Sequence, residues 1–264
     1  ETIADLNVPL ADESEAAAER YFNRHEASFP AGLLSGWRIG VFEHSTVARD
    51  LLGRSLRHFG AETVSLGRSK DFVAVDTEAY GDAVFAPLPG WVKEYGLDAV
   101  VSADGDGDRP LLMDGNGNFV RGDALGLIVA RYVGAQTVVT PVTSNSGIER
   151  TGAFSRVIRT RVGSPYVIEA MSGAPGAVIG FEANGGTFVG DGVTLAGTAL
   201  SPLQTRDAVL PLLCTLGLAA AKGQSVAEVV AALPLQFALA DRLQDVPSAR
   251  SSAFLLRLAE DGDY

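Results

Sequence analysis

The sequence has one cysteine in 264 residues, too few basic residues to balance the acidic ones, and no apolar run long enough for a membrane. Each shortage closes off a class of protein. With Cys214 alone, no disulfide framework forms within the chain, and its place inside the apolar run Ala208–Ala221 marks it as a small core residue. A reducing, cytoplasmic setting is expected. Lys and Arg number 21 against 32 Asp and Glu, a net charge of −11. Nonspecific nucleic-acid binding needs the opposite balance. The run Ala208–Ala221 is shorter than the ~20 residues that span a bilayer, and Pro211 interrupts it. The opening residues Glu1-Thr2-Ile3-Ala4-Asp5 lack the basic and apolar stretches of a signal peptide. No internal repeat or low-complexity tract stands out.

A hydrophobic content of 47% with 20% charged residues is that of a folded protein, and the length suits two domains. A lead-in helix is expected over Asp12–Arg24. Gly36–Phe42 reads as a strand, Val47–Phe59 as an amphipathic helix with Thr46 as N-cap and Gly60 beyond its end, and Ala61–Leu66 as a second strand. That β-α-β order points to α/β layers with parallel pairing. A helix near Pro89–Tyr95, a strand at Asp98–Ala103, a hairpin of Pro110–Met113 with Phe119–Arg121, and a helix over Gly122–Val133 follow. Asp114–Asn118 supplies the hairpin turn. A second unit is expected from Gly134: strands at Thr137–Val142, Val157–Thr160 and Ala177–Phe181, and helices at Ser146–Ala153, Tyr166–Ser172, Gln204–Ala221, Val226–Leu233 and Ser252–Glu260. The predicted architecture is two consecutive three-layer α/β/α domains with mixed, mostly parallel sheets. Residues 1–35 lead in, 36–133 and 134–240 form the domains, and 241–264 are a linker toward an absent C-terminal domain.

The chemistry concentrates in Asp104-Gly105-Asp106-Gly107-Asp108-Arg109, directly after the apolar strand. At i, i+2 and i+4 the three carboxylates project to one side, and the glycines let them converge. Three close anions repel, and a hard divalent cation, Mg²⁺, relieves that repulsion. A solvated acidic turn is the competing reading, since Asp and Gly are common turn residues. An EF-hand is excluded: counted from Asp104, position six is Arg109 and position twelve Gly115, and counted from Asp114, position twelve is Leu125. Arg109 argues for phosphate. A guanidinium beside a metal clamps a phosphoryl group bidentately and reverses the sign of an otherwise acidic surface.

These residues resemble the α-D-phosphohexomutases, whose metal loop has the form Asp-x-Asp-Gly-Asp-Arg after a buried strand. Thr143-Ser144-Asn145-Ser146-Gly147-Ile148-Glu149 resembles the family's third-domain turn. Arg159-Thr160-Arg161-Val162-Gly163-Ser164-Pro165-Tyr166-Val167 is similar to its Thr-x-Val-Gly segment, and Gly180-Phe181-Glu182-Ala183-Asn184-Gly185-Gly186 to its sugar-recognition loop. Order and spacing agree from Trp37 to about Leu233. The resemblance implies the second and third domains of a four-domain enzyme that interconverts hexose 1- and 6-phosphates through a phosphoserine and a bisphosphorylated sugar. It makes Asp104, Asp106 and Asp108 the Mg²⁺ ligands and places Arg109 at the transferring phosphoryl group. Glu182 and Asn184 then contact the phosphorylated hexose, with Arg161, Gly163 and Ser164 also on the substrate side.

The departures are specific. Gly186 stands where the family commonly has histidine, and Phe181 where a glycine precedes the glutamate. Thr143 and Ser164 occupy places where some mutases carry lysine and histidine, so no proton shuttle is transferred. The Glu-Ala-Asn-Gly-Gly form leans toward phosphomannomutases. No Thr-Ala-Ser-His-Asn-Pro phosphoserine loop and no Arg-x-Ser-x-Thr-Glu-Pro phosphate clamp is present. His44-Ser45-Thr46 is the nearest neighbourhood, and it reads as a turn and cap. The chain is therefore expected to be a fragment, inactive without the N- and C-terminal domains of the same polypeptide. A non-catalytic metal- or sugar-phosphate-binding module is one competing function. A metal-dependent phosphatase is another, though neither Asp5 nor Asp12 has the setting of its nucleophile. His25 and His58 read as exposed.

Overall fold

The computed structural model describes residues 12–238 and 245–260; Asp5 and parts of the expected lead-in and linker segments lie outside them. The first helix, α1 (Ser14–Glu26), precedes strand β1 (Arg38–Phe42), which buries all but its first residue. Helix α2 (Arg49–His58) buries Leu52, Ser55 and Leu56, whose three- and four-residue spacing puts them on one face. Thr46 accepts a hydrogen bond from the Ala48 N–H at 3.2 Å, just ahead of the helix. Strand β2 (Glu62–Leu66) returns beside β1, and α3 (Leu88–Tyr95) ends at Gly96 in the left-handed conformation (φ 58°). The fully buried β3 (Ala99–Ala103) is followed by β4 (Pro110–Asp114) and the short β5 (Phe119–Val120). Strands β2, β1 and β3 run parallel and β4 and β5 antiparallel, in the order β2-β1-β3-β4-β5.

The second sheet repeats that plan. After α4 (Gly122–Tyr132) come β6 (Thr137–Pro141), β7 (Arg156–Thr160), α5 (Ser164–Met171), β8 (Val178–Phe181) and β9 (Thr187–Val189). A two-stranded hairpin, β10 (Thr194–Leu195) and β11 (Thr198–Ala199), precedes β12 (Leu203–Asp207). The order is β7-β6-β8-β9-β12, again three parallel strands and then two antiparallel ones. The sheets share topology without a sequence repeat, because topology requires only that each strand be apolar in the right places. Each contains two parallel and two antiparallel pairings. The loop after the third strand of the first sheet is the acidic loop. The loop after the third strand of the second is Glu182–Gly186.

Two expected elements are corrected. Gln204–Arg206 belong to β12, and the apolar helix begins later as α6 (Val209–Lys222), because Asp207 accepts hydrogen bonds from the Val209 and Leu210 N–H groups at 3.1 and 2.9 Å. Pro211 interrupts nothing there, since in the first turn its missing N–H has no partner to lose. The helix expected over Ser146–Ala153 shrinks to one 3₁₀ turn, Glu149–Thr151. Asn145 Oδ1 takes the N–H groups of Gly147 and Gln236, and Arg159 donates to the carbonyls of Pro141, Ser144 and Asn145. Side chains thus satisfy backbone groups that a helix would otherwise pair.

Helices α4 and α6 pack side by side, α4 against β8 and α6 against β4, so one apolar core joins both sheets. Gly126 of α4 permits this: a Cβ there would lie 2.2 Å from Phe181 Cγ. The remaining helices are α7 (Val226–Ala231), capped reciprocally by Ser225 and Glu228, and α8 (Ser248–Glu260), which buries none of its residues. Among the described residues no helix is long and apolar enough to cross a membrane.

Candidate metal centre

Strand β3 carries the chain to Asp104, where it turns instead of remaining extended. Asp104 Oδ1 accepts hydrogen bonds from the backbone N–H groups of Asp108 and Arg109 at 3.2 and 3.1 Å, and the Gly107 N–H reaches the Asp104 carbonyl at 3.1 Å. The loop therefore folds back on a buried Asp104, and one carboxylate oxygen from each of Asp104, Asp106 and Asp108 lies within 4.8 Å of the others. Convergence comes from this turn and not from strand alternation. The loop after β1 supports it: the His44 Nε2–H donates to the Ala103 carbonyl at 2.8 Å, and the Val47 N–H to Gly105 at 3.1 Å. Burial is the main reason His44 is held below its usual pKa, favouring the neutral ring that this bond uses.

The donors match a hard divalent cation in kind: three carboxylates and no sulfur or imidazole. Two observations show unmet demand. Asp108 Oδ1 and Arg109 Nε are buried without a hydrogen-bond partner. The Asp104 carboxyl is pushed up to about 6, chiefly by burial, against the pull of the Arg109 N–H, with the Asp106 and Asp108 charges adding to the rise. Arg109 sits beside the cluster, its Nε 3.6 Å from Asp104 Oδ2 and 3.8 Å from Asp108 Oδ1. Its side chain remains 36% exposed.

Glu182 and Asn184 lie on the equivalent loop of the second sheet. Both are buried. The loop closes on itself through Glu182 N–H to Gly186 O and Gly185 N–H to Glu182 O, each 3.0 Å, and Asn184 Oδ1 accepts the Gly186 N–H at 2.9 Å. Asn184 thus spends its amide oxygen on its own loop and keeps the NH₂ to offer. Arg206 joins the two loops: its Nε donates to Glu182 Oε2 at 2.6 Å and its Nη1 to Asp108 Oδ2 at 2.8 Å. Gly186 makes room for it, since a Cβ at that position would lie 2.3 Å from Arg206 Cδ.

Arg161, Gly163 and Ser164 lie on the turn from β7 into α5. No described hydrogen bond or ion pair links them to the three aspartates or to Glu182; the Arg161 guanidinium rests 5.8 Å from the Tyr166 ring centre. Sequence reasoning missed Arg206 by drawing it into a helix. The signal was there: Thr-Arg-Asp before an apolar run is a helix start with Asp as the capping acceptor, which leaves the arginine outside. It also passed over the connection from β2 to α3. Thr77 Oγ donates to the Asn184 carbonyl at 3.4 Å, and Glu78 has its pKa raised by burial and by Asp76, while Arg109 and Arg121 oppose the rise. His25, expected exposed, is buried: its Nε2 lies 3.1 Å from Asp207 Oδ2, and the Tyr21 hydroxyl donates to Asp207 Oδ1 at 2.6 Å. His58 is exposed.

Comparison with known proteins gives one consistent answer. Residues 19–117 match the model of phosphoglucomutase/phosphomannomutase alpha/beta/alpha domain II, and residues 121–237 that of domain III. A phosphomannomutase of Sinorhizobium fredii is 45% identical over 249 residues, 93% of this chain and 52% of that protein. One of Salmonella muenchen is 42% identical over 248 residues, 93% and 51% respectively. The chain spans about half the length of these curated relatives. In fold it resembles the crystal structure of a phosphoglucomutase/phosphomannomutase family protein from Burkholderia thailandensis, with a TM-score of 0.64 at 16% identity, covering 83% of this chain and 46% of that one.

Proposed function

Because the chain belongs to the phosphoglucomutase/phosphomannomutase family, we propose that it is the metal- and sugar-binding centre of a longer phosphohexomutase, one that interconverts hexose 1- and 6-phosphates with a lean toward mannose phosphate. The observation that carries this is the convergence of Asp104, Asp106 and Asp108 beside Arg109, with Asp108 Oδ1 buried, without a hydrogen bond and 3.8 Å from Arg109 Nε. Asp104, Asp106 and Asp108 hold Mg²⁺. The ion, when bound, neutralises charge on a transferring phosphoryl group. Arg109 orients that group through its guanidinium fork. Glu182 accepts hydrogen bonds from sugar hydroxyls, as an ionised carboxylate does, and the Asn184 amide donates to the same ring. Arg161, Gly163 and Ser164 form the more open part of the substrate surface.

The reactive phosphoserine comes from a domain outside this chain. What supports that is the length comparison, in which relatives are about twice as long, together with the lack of a Thr-Ala-Ser-His-Asn-Pro segment. We keep a cytoplasmic setting with this reading, on the single buried thiol Cys214. The isolated chain is expected to bind Mg²⁺ weakly and to turn over no sugar phosphate. The test is mutase activity of the full-length polypeptide on mannose 1-phosphate against glucose 1-phosphate, with and without Asp106→Asn. Loss of activity in the variant is expected, and equal rates for the two proteins would refute the metal assignment.

A further inference from the structure

Arg206 hydrogen-bonds the acidic loop and the Glu182 loop at once, and its surroundings are built for that task. One guanidinium edge is spent on Glu182 Oε2 and another nitrogen on Asp108 Oδ2. With Oδ2 held, the atom Asp108 has left for a cation is the buried Oδ1, which makes no hydrogen bond and lies 3.8 Å from Arg109 Nε. Gly186 gives the clearance for the arginine stem. The stem also starts from fixed backbone. Its neighbour Asp207 is fully buried, accepts from the Tyr21 hydroxyl and two α6 N–H groups, and lies against His25. A side chain anchored at its root and bridged at its tip has few other positions to adopt.

We propose that Arg206 is a positioning residue that couples cation binding at Asp104, Asp106 and Asp108 to the state of Glu182. The inference rests on the metal-site reading above. Through the bridge, anything that draws on Glu182, such as a sugar hydroxyl, reaches the orientation of Asp108, and cation loading reaches Glu182. Plain charge predicts the opposite for the arginine, since a guanidinium beside a cation repels it. Replacement by lysine separates the two effects: the charge stays, but one ammonium cannot reproduce the fork.

The experiment is a double-mutant cycle read by the Mg²⁺ dissociation constant of the 264-residue chain, measured calorimetrically. Its members are wild type, Arg206→Lys, Glu182→Ala and the double variant. Partners that orient metal-binding carboxylates are worth about 10–100-fold in metal affinity. Arg206→Lys and Glu182→Ala are each expected to weaken Mg²⁺ binding by about tenfold or more. Glu182→Ala is expected to add less than about twofold in the Arg206→Lys background, because the path it acts through is gone. Gly186→Ala is a second route: it removes no charge, displaces the arginine stem, and is expected to weaken Mg²⁺ binding similarly. Multiplying effects in the cycle, or unchanged affinity in Glu182→Ala or Gly186→Ala, overturn the coupling. If wild type binds Mg²⁺, Asp106→Asn abolishes it and Arg206→Lys leaves it intact, the coupling fails alone. If wild type binds no Mg²⁺, the metal reading fails and the coupling with it.

Discussion

Three carboxylates gathered at one point should cost stability when no cation neutralises them, and Asp104 lets that cost be measured. Its carboxyl, ordinarily at 3.8, is raised to about 6 in the fold, equivalent to at most about 3 kcal/mol for ionising it there. The sign follows from linkage. The folded chain holds this proton to higher pH than the unfolded chain does, so stability falls as pH rises from about 4 to about 6 and stays low above that. Asp106 and Asp108 share the repulsion, so about 3 kcal/mol is an upper bound for one residue. Asp104→Asn keeps the side-chain oxygen that accepts from the Asp108 and Arg109 N–H groups and removes the charge. In chelator at pH 7.5 the variant should therefore be more stable than wild type by about 1–3 kcal/mol, whereas at pH 4 the two should coincide. Urea unfolding followed by far-UV circular dichroism reads both. Adding Mg²⁺ at pH 7.5 should then stabilise wild type and not the variant. A variant less stable than wild type at pH 7.5 in chelator would refute the account of Asp104 as a strained, ionised ligand.

Other changes test the scaffold. Asp207→Asn leaves His25 and Arg24, whose Nε lies 3.6 Å from Asp207 Oδ2, facing a neutral amide and should cost about 3 kcal/mol in urea unfolding; a loss below about 1 kcal/mol would count against the buried cluster as an anchor. Burial raises the Asp207 carboxyl, but the nearby His25 and the hydrogen bonds from His25, Tyr21 and the Leu210 N–H outweigh it, holding the group at about 2. Its stabilising contribution should be complete above pH 4 and disappear as pH falls toward 2, seen as a urea-unfolding midpoint that falls with pH over that window. Gly126→Ala gains about 1 kcal/mol of helix propensity, yet its methyl meets Phe181. Net destabilisation of about 1–3 kcal/mol is expected, and a stabilised variant would contradict the close approach of α4 to β8.

The parts of the fold legible in the sequence are those whose residues carry their own period. Helix α2 declares itself by Leu52 and Leu56, β3 by the apolar run Ala99-Val100-Val101, and the β4–β5 turn by Asp, Asn and Gly. Strand β12 does not, because Leu203–Asp207 is a half-exposed edge whose pairing with β9 is irregular. The turn at Ser146–Ala153 was hidden for another reason: its backbone is satisfied by Asn145 and by Arg159, which lies one strand away. The site divides in the same way. Asp104, Asp106, Asp108 and Arg109 are contiguous and could be read from one hexapeptide. Arg206 meets Asp108 across a sequence separation of 98, a proximity created only when the two sheets are stacked.

That stacking has a mechanical consequence. Since α4 and α6 fill the space between the sheets and belong to one apolar core, there is no greasy joint along which one half could swing away from the other without exposing it. The two loops that face each other are held at fixed separation, like jaws cast in one block. Any relative movement then falls to the segments that border the block, and heat or urea should melt both halves in a single step.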